Sequence, residues 1–199
     1  KAVESGNDIF RVMREARVAF AAVQMSGDSL PRIAVIGEVF VRSQAFSNLD
    51  LIRRIEEIGG EVLLAPLTEW LQYVGLEEIA DAARRRRIVN ALKLKVVTRV
   101  MKHDEERLCG IWHGFPGNTH EPPPEELIER GKEYIDPAFF GEPILSVGKA
   151  KYLHEHGIAG IVNVMPFTCM LGTITNGLLR KFQQDKGMPI LNLSFDGQE

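Results

Sequence analysis

Apolar residues recur along this chain in two alternating rhythms. Ile9, Val12, Met13, Ala16, Phe20 and Val23 fall three and four residues apart, the stripe of an amphipathic helix that Gly27, Ser29 and Pro31 bring to an end. Arg32 to Gly37 is a short, nearly continuous β-branched run, as in a strand buried on both faces of a parallel sheet. Ser47 with Asp50 opens the next helix in the manner of a capping box, Leu51, Ile52, Ile55 and Ile58 stripe it, and Gly59-Gly60 stops it. Glu61 to Ala65 follows as a second strand. Strand, helix and strand within about 35 residues make a βαβ unit, whose crossover is right-handed.

From Thr68 to about Asp104 the rhythm is helical, interrupted at Gly75, with Ile88, Val89, Leu92, Val96 and Val100 on one face. This stretch, about 68–108, predicts a helical insertion that ends soon after Val100, because Asp104, Glu105, Glu106 and Arg107 fill the next turn. Gly114, Pro116, Gly117 and Pro122 to Pro124 make 110–124 a long loop. Helices start near Pro124 and Pro143, each with proline in the first turn, and Gly157 closes the second. Ile158 to Val164 reads as a strand, Thr173 caps a helix striped by Ile174, Leu178, Leu179 and Phe182, and Ile190 to Phe195 is a last strand. A second βαβ unit thus occupies the C-terminal part.

With 199 residues, 45% of them apolar and 26% charged, the chain has material for a proper core. The 24 Lys and Arg against 27 Asp and Glu leave a net charge of −3, which favours neither nucleic acid nor an anionic membrane as partner. Two cysteines, Cys109 and Cys169, are too few for a disulfide scaffold or for a self-contained zinc or iron–sulfur site. There is no run of 18 apolar residues and no leader pattern, so a cytoplasmic protein is expected. The start at Lys1 and the stop directly behind the last strand read as cut ends, so a fragment of a longer protein is expected too.

In open α/β sheets ligands gather outside the carboxyl ends of the strands. After the first strand, Glu38 and Arg42 could pair with each other or grip a polar ligand. After the later strand, Cys169 lies between a strand end and a helix start, where unsatisfied amides favour an anion. A thiolate there could be a nucleophile, a redox thiol or a metal ligand; the alternative is a small buried hydrophobe. Asp196, after the last strand, is a polar contact or a turn residue. Cys109 reads as structural, and Arg84 to Arg87 as a solvated face rather than a phosphate patch. His154 and His156, two apart on a helix, cannot share a metal; His113 and His120 lie in the long loop. No P-loop, nucleophile elbow or glycine-rich dinucleotide fingerprint is present.

Several of these segments resemble one family. Ile36 to Arg42, then Asn48, Glu56, Gly59 to Val62 and Glu69-Trp70, together with Gly141 to Ala150, Gly160 to Met170 and Leu191 to Glu199, are similar to the activase-associated, dehydratase-like region of the 2-hydroxyacyl-CoA dehydratase and benzoyl-CoA reductase superfamily. Pro166-Phe167-Thr168-Cys169-Met170 and the closing Asp196-Gly197-Gln198-Glu199 are its most specific pieces; Leu171 departs from the proline usual at that position. The resemblance implies a [4Fe–4S] cluster with Cys169 among its ligands and the others outside this chain. It also implies an ATP-dependent activase as partner, a CoA thioester as substrate, and Glu38 and Arg42 as pocket residues, with Asp196 a further pocket candidate from its place at a strand end.

The expectation is a three-layer α/β domain over 32–199, of Rossmann-like or flavodoxin-like type with a mostly parallel open sheet, preceded by a helix and connector over 1–31. The function expected is that of an iron–sulfur-dependent component of an ATP-activated, low-potential electron-transfer system, inactive alone. A non-redox CoA or small-ligand module and a docking domain for the activase are the alternatives.

Overall fold

The computed structural model describes residues 9–24, 29–115, 121–139 and 141–198. The chain divides into two compact units, one of residues 1–28 with 75–121, the other of 29–74 with 122–199.

The larger unit holds an open sheet of β1 (Arg32–Gly37), β2 (Glu61–Leu64), β3 (Gly160–Pro166) and β4 (Ile190–Phe195), in the order β2-β1-β3-β4 and parallel throughout. Right-handed crossovers explain its layers. The β1-to-β2 and β3-to-β4 connections travel outward in opposite directions, so their helices fall on opposite faces. Side-chain alternation along the strands supplies each face with its own core. On one face Val35, Val162 and Val164 pack with Val41 of α2 (Val39–Ser43) and with Leu51 and Ile55 of α3 (Leu51–Glu57). On the other, Ala34, Ile36 and Ile161 meet Leu127 of α6 (Pro124–Gly131), Ile144 and Val147 of α7 (Glu142–Glu155), and Leu179 and Phe182 of α8 (Met170–Lys186). α7 is buried on nearly every side, and Gly148 makes this possible: a Cβ there would stand 2.0 Å from the Leu127 carbonyl oxygen.

In the smaller unit, α1 (Ile9–Ala21) lies with α5 (Ile88–Ile111), and Phe20, Trp112 and Phe115 stack edge to face at 6.0 and 5.1 Å. Arg17, Val18, Phe20, Ala21, Val23, Gly114 and Phe115 line a cavity of about 520 Å³. α4 (Leu67–Arg84) runs from the larger unit into this one and continues unbroken through Gly75, where the sequence predicts an interruption. The break comes instead inside the arginine run. Arg84 ends α4, Arg86 takes a left-handed φ of 56° and Arg87 caps α5, so the four arginines share no helix face. α5 also continues past Val100 to Ile111, since its acidic turn is solvated rather than helix-breaking. Its apolar row points outward: Ile88, Val89, Leu92, Val96 and Val100 are exposed, whereas Ala91, on the opposite side, is buried.

Other boundaries shift as well. β3 starts at Gly160 rather than Ile158, and α8 starts at Met170, capped by Cys169 and not by Thr173. The start of α3 is bonded by Asn48, whose Oδ1 accepts from Leu51 N–H; the Ser47 hydroxyl donates to the Gln44 carbonyl. His120 lies outside the described residues.

Candidate functional site

The sheet order reverses between β1 and β3, and the loops leaving their carboxyl ends border the crevice expected at such a switch point. Gly37 makes the first loop possible. Its φ is +102°, and a Cβ would stand 2.2 Å from the Val164 carbonyl oxygen, so only glycine lets β1 turn across β3 here. The next amide, Glu38 N–H, donates to that same carbonyl at 2.8 Å. The Glu38 carboxylate then caps α2, its two oxygens accepting from Phe40 N–H at 3.0 Å and Val41 N–H at 2.8 Å.

Arg42, 4% exposed, lies beneath this loop. Its guanidinium donates to the Gly37 carbonyl at 2.8 Å and the Pro66 carbonyl at 3.1 Å, tying the ends of β1 and β2 together, while its Nε has no partner among the described residues. Glu38 and Arg42 therefore serve backbone groups rather than each other. Asn48, also sealed, donates to the carbonyls of Val41 and Arg42 and fixes the far end of α2.

Three charged residues that composition and spacing leave unmarked complete the group. Glu69 of α4 and Lys149 of α7 meet at 3.0 Å with side chains 6% and 3% exposed, a charge contact without the alignment of a hydrogen bond. Glu142, in the first turn of α7, has its Oε1 sealed from solvent without a partner among the described residues. Burial pushes its carboxyl up to about 7; the nearby Arg42 opposes this, and the Glu38 and Glu69 carboxylates add to it. Gly141, just before it, donates its N–H to the Tyr73 hydroxyl at 2.8 Å. The sequence does not single out Lys149, because α7 also carries Lys151, His154 and Glu155, and only folding shows which of these charges is sealed.

Across the switch point, Cys169 is the N-cap of α8 and is partly exposed. Its Sγ accepts from Gly172 N–H at 3.3 Å. The preceding Thr168 sits at φ 65°, a region β-branched residues seldom enter, so the loop is held under strain at the residue that aims the thiol. Asp196 is exposed and accepts from Gln198 N–H at 3.0 Å, which makes it a turn residue. Cys109 belongs to the other unit, and its thiol is pushed up by burial and by the Glu105 and Glu121 carboxylates. His154 packs edge-on to Phe182 and His156 stacks on Tyr152, so neither faces a shared ligand.

A [4Fe–4S] cluster needs about four ligands, several of them thiolates. Among the described residues, no group of three or more His, Cys, Asp or Glu could hold a metal ion. Cys169 fits as one ligand, but these residues do not complete a cluster site.

Behind the crevice, Asn163 of β3 donates to the Oδ1 atoms of Asn176 on α8, at 2.8 Å, and Asn192 on β4, at 3.1 Å. This polar bridge inside an apolar layer holds β3, β4 and α8 in fixed relation.

No family model matches the chain, and no solved structure does. The chain is similar to the ATP synthase subunit alpha of Clavibacter michiganensis subsp. michiganensis and to that of Clavibacter sepedonicus. Each is 25% identical over 138 residues, a stretch that covers 58% of this chain and 25% of the relative. The chain thus spans about a quarter of the length of the curated relatives it matches, and a likeness of this extent assigns no family and no residue roles. No helix among the described residues is long and apolar enough to cross a membrane.

Proposed function

We propose that this chain is the α/β part of a 2-hydroxyacyl-CoA dehydratase-like protein, an iron–sulfur-dependent component of an ATP-activated, low-potential electron-transfer system, and that its switch-point crevice receives a CoA thioester. The observation that carries this reading is that two of the loops that carry the resemblance, Gly37 to Arg42 and Pro166 to Met170, leave adjacent strands at one switch point, above a sealed group of charges. Arg42 ties the ends of β1 and β2 together, Lys149 pairs with Glu69, and Gly37 and Asn48 hold the first loop's shape. Cys169 would supply one thiolate to a cluster whose other ligands come from polypeptide outside this sequence. No electron-transfer step is derived from the residues present.

The test is anaerobic reconstitution, with ferrous iron and sulfide, of the natural polypeptide that carries this sequence, with and without Cys169→Ala. Loss of bound iron and of the cluster's visible and EPR signals in the variant is the expected result. Unchanged cluster content removes Cys169 from the ligand set, and failure of the unsubstituted polypeptide to take up a cluster sinks the iron–sulfur assignment. Binding of acetyl-CoA that persists without any cluster would leave the non-redox CoA module.

The outward apolar row of α5, next to the basic turn at Arg84 to Arg87, favours a second role for the same chain: docking of the activase. Salt-sensitive binding to the purified activase, lost when the four arginines are neutralised, is the corresponding result.

A further inference from the structure

The smaller unit carries a charge pattern that the net charge of −3 conceals. From Ala82 to His103 the chain has eight Arg and Lys and no Asp or Glu. Asp81 answers Arg85 at 2.7 Å and Arg84 at 3.7 Å. The other six, Arg86, Arg87, Lys93, Lys95, Arg99 and Lys102, are exposed and form no ion pair among the described residues. They surround an apolar row. Ile88, Val89, Leu92, Val96 and Val100 of α5 are each more than half exposed, from 77% at Ile88 to 54% at Val100. At 3.6 residues per turn, Lys93 falls on one flank of this row and Lys95 and Lys102 on the other, while Arg86 and Arg87 stand at its N-terminal end. The opposite side of α5 is taken. Ala91 is buried there, and Thr98 lies so close to Gly75 of α4 that a Cβ on Gly75 would meet its Oγ1 at 2.9 Å. Asp104, Glu105 and Glu106 close the row, and beyond them the Arg107 guanidinium lies over the Phe10 ring of α1 at 3.9 Å.

We propose that the outward face of α5 binds the surface of an anionic lipid bilayer, with the aliphatic row sunk among the acyl chains and the flanking cations on the headgroups. Charge complementarity selects this occupant: a stretch with cations on both flanks and no acid matches a sheet of negative headgroups. Aliphatic side chains leave water there, and the long lysine stems reach back from the row to the phosphates. A second copy fits poorly. Lys93 and Lys95 stand at the middle of the row, so two such helices packed antiparallel would set lysine against lysine. A protein groove that encloses a helix is blocked by α4, whereas a bilayer needs one face only. The inference is independent of the cluster and thioester readings. It competes with activase docking for one face, and the experiment separates the two.

The experiment is co-sedimentation of the chain with phosphatidylcholine vesicles, with and without about 30% phosphatidylserine. Wild type should bind only the anionic vesicles, and raising NaCl from about 0.1 to about 0.5 M should weaken binding at least tenfold. Leu92→Glu, and the pair Lys93→Gln with Lys95→Gln, should each weaken it by at least about tenfold, circular dichroism confirming their fold. Arg53→Gln, which removes an exposed cation of α3, should bind as wild type does. Failure of wild type to sediment with anionic vesicles overturns the proposal, as does binding that Leu92→Glu leaves unchanged. A wild-type dimer in analytical ultracentrifugation that Leu92→Glu splits would make this a self-association surface. Capture of purified activase that anionic vesicles do not displace would give the face to the activase. Either result overturns the lipid assignment.

Discussion

Lys149 reaches from the middle of α7 to within 3.0 Å of the Glu69 carboxylate, and protein encloses both side chains almost completely. Removing one member of such a pair strands the other in a low-dielectric interior, which costs about 3–5 kcal/mol. Lys149→Met should therefore lower unfolding free energy in urea by about that much. The double variant Lys149→Met, Glu69→Leu should recover most of the loss, because the desolvation of both charges disappears with the pair. A single variant costing less than about 1 kcal/mol would mean that water reaches the site.

Glu142 sets a pH dependence of stability whose sign is fixed. Its folded-state pKa is raised from 4.5 to about 7, so the folded chain holds a proton that the unfolded chain has released across that window. The contribution is fully present below about pH 4.5, declines as pH rises through about 7, and is constant above. Glu142→Gln has no such slope. Subtracting its unfolding free energies from those of wild type, measured from pH 4 to 9, should isolate a decline confined to that interval.

Gly37→Ala combines a left-handed backbone with a Cβ driven into the Val164 carbonyl oxygen. The expected loss is at least about 3 kcal/mol, read from thermal or urea unfolding. An alanine variant as stable as wild type would show that the β1 and β3 ends can separate without penalty.

Cys169 also has a conformational duty as the cap of α8, independent of any ligand. Cys169→Ser keeps an oxygen where the sulfur accepts from Gly172 and should remain close to wild type, while Cys169→Ala should lose about 1 kcal/mol. Thermal unfolding under metal-free conditions separates this duty from a role in holding iron.

The sheet was legible because its strands are short, mostly apolar runs set off by glycines and prolines, and β1 and β4 fall on the expected residues. Helix ends were less so. α5 outlasts its expected stop because Asp104, Glu105 and Glu106 are acceptable helix residues wherever solvent reaches them, and a fading apolar stripe marks lost burial rather than lost helix. The division into two units was hidden for the same reason: α4 crosses from one to the other with an even rhythm. Within the site, Glu38, Arg42 and Cys169 stand out as loop residues at strand ends. Glu69, Glu142 and Lys149 do not, since a charge inside a helix is ordinary until folding seals it. Asp196 shows the converse, a strand-end carboxylate that turns back on its own loop.

Asn163 bears on how the sheet finds its pairing. Apolar strands of similar length can slide past one another with little change in buried area. A slip of β3 against β4 by one residue, however, would point Asn163 and Asn192 to opposite faces and leave amides unmet inside hydrocarbon. The asparagine trio thus works as a checksum on assembly: it adds little to the depth of the correct state and much to the height of the wrong ones. β3 and β4, the half of the sheet that carries the Cys169 loop, can then be brought together in one register only.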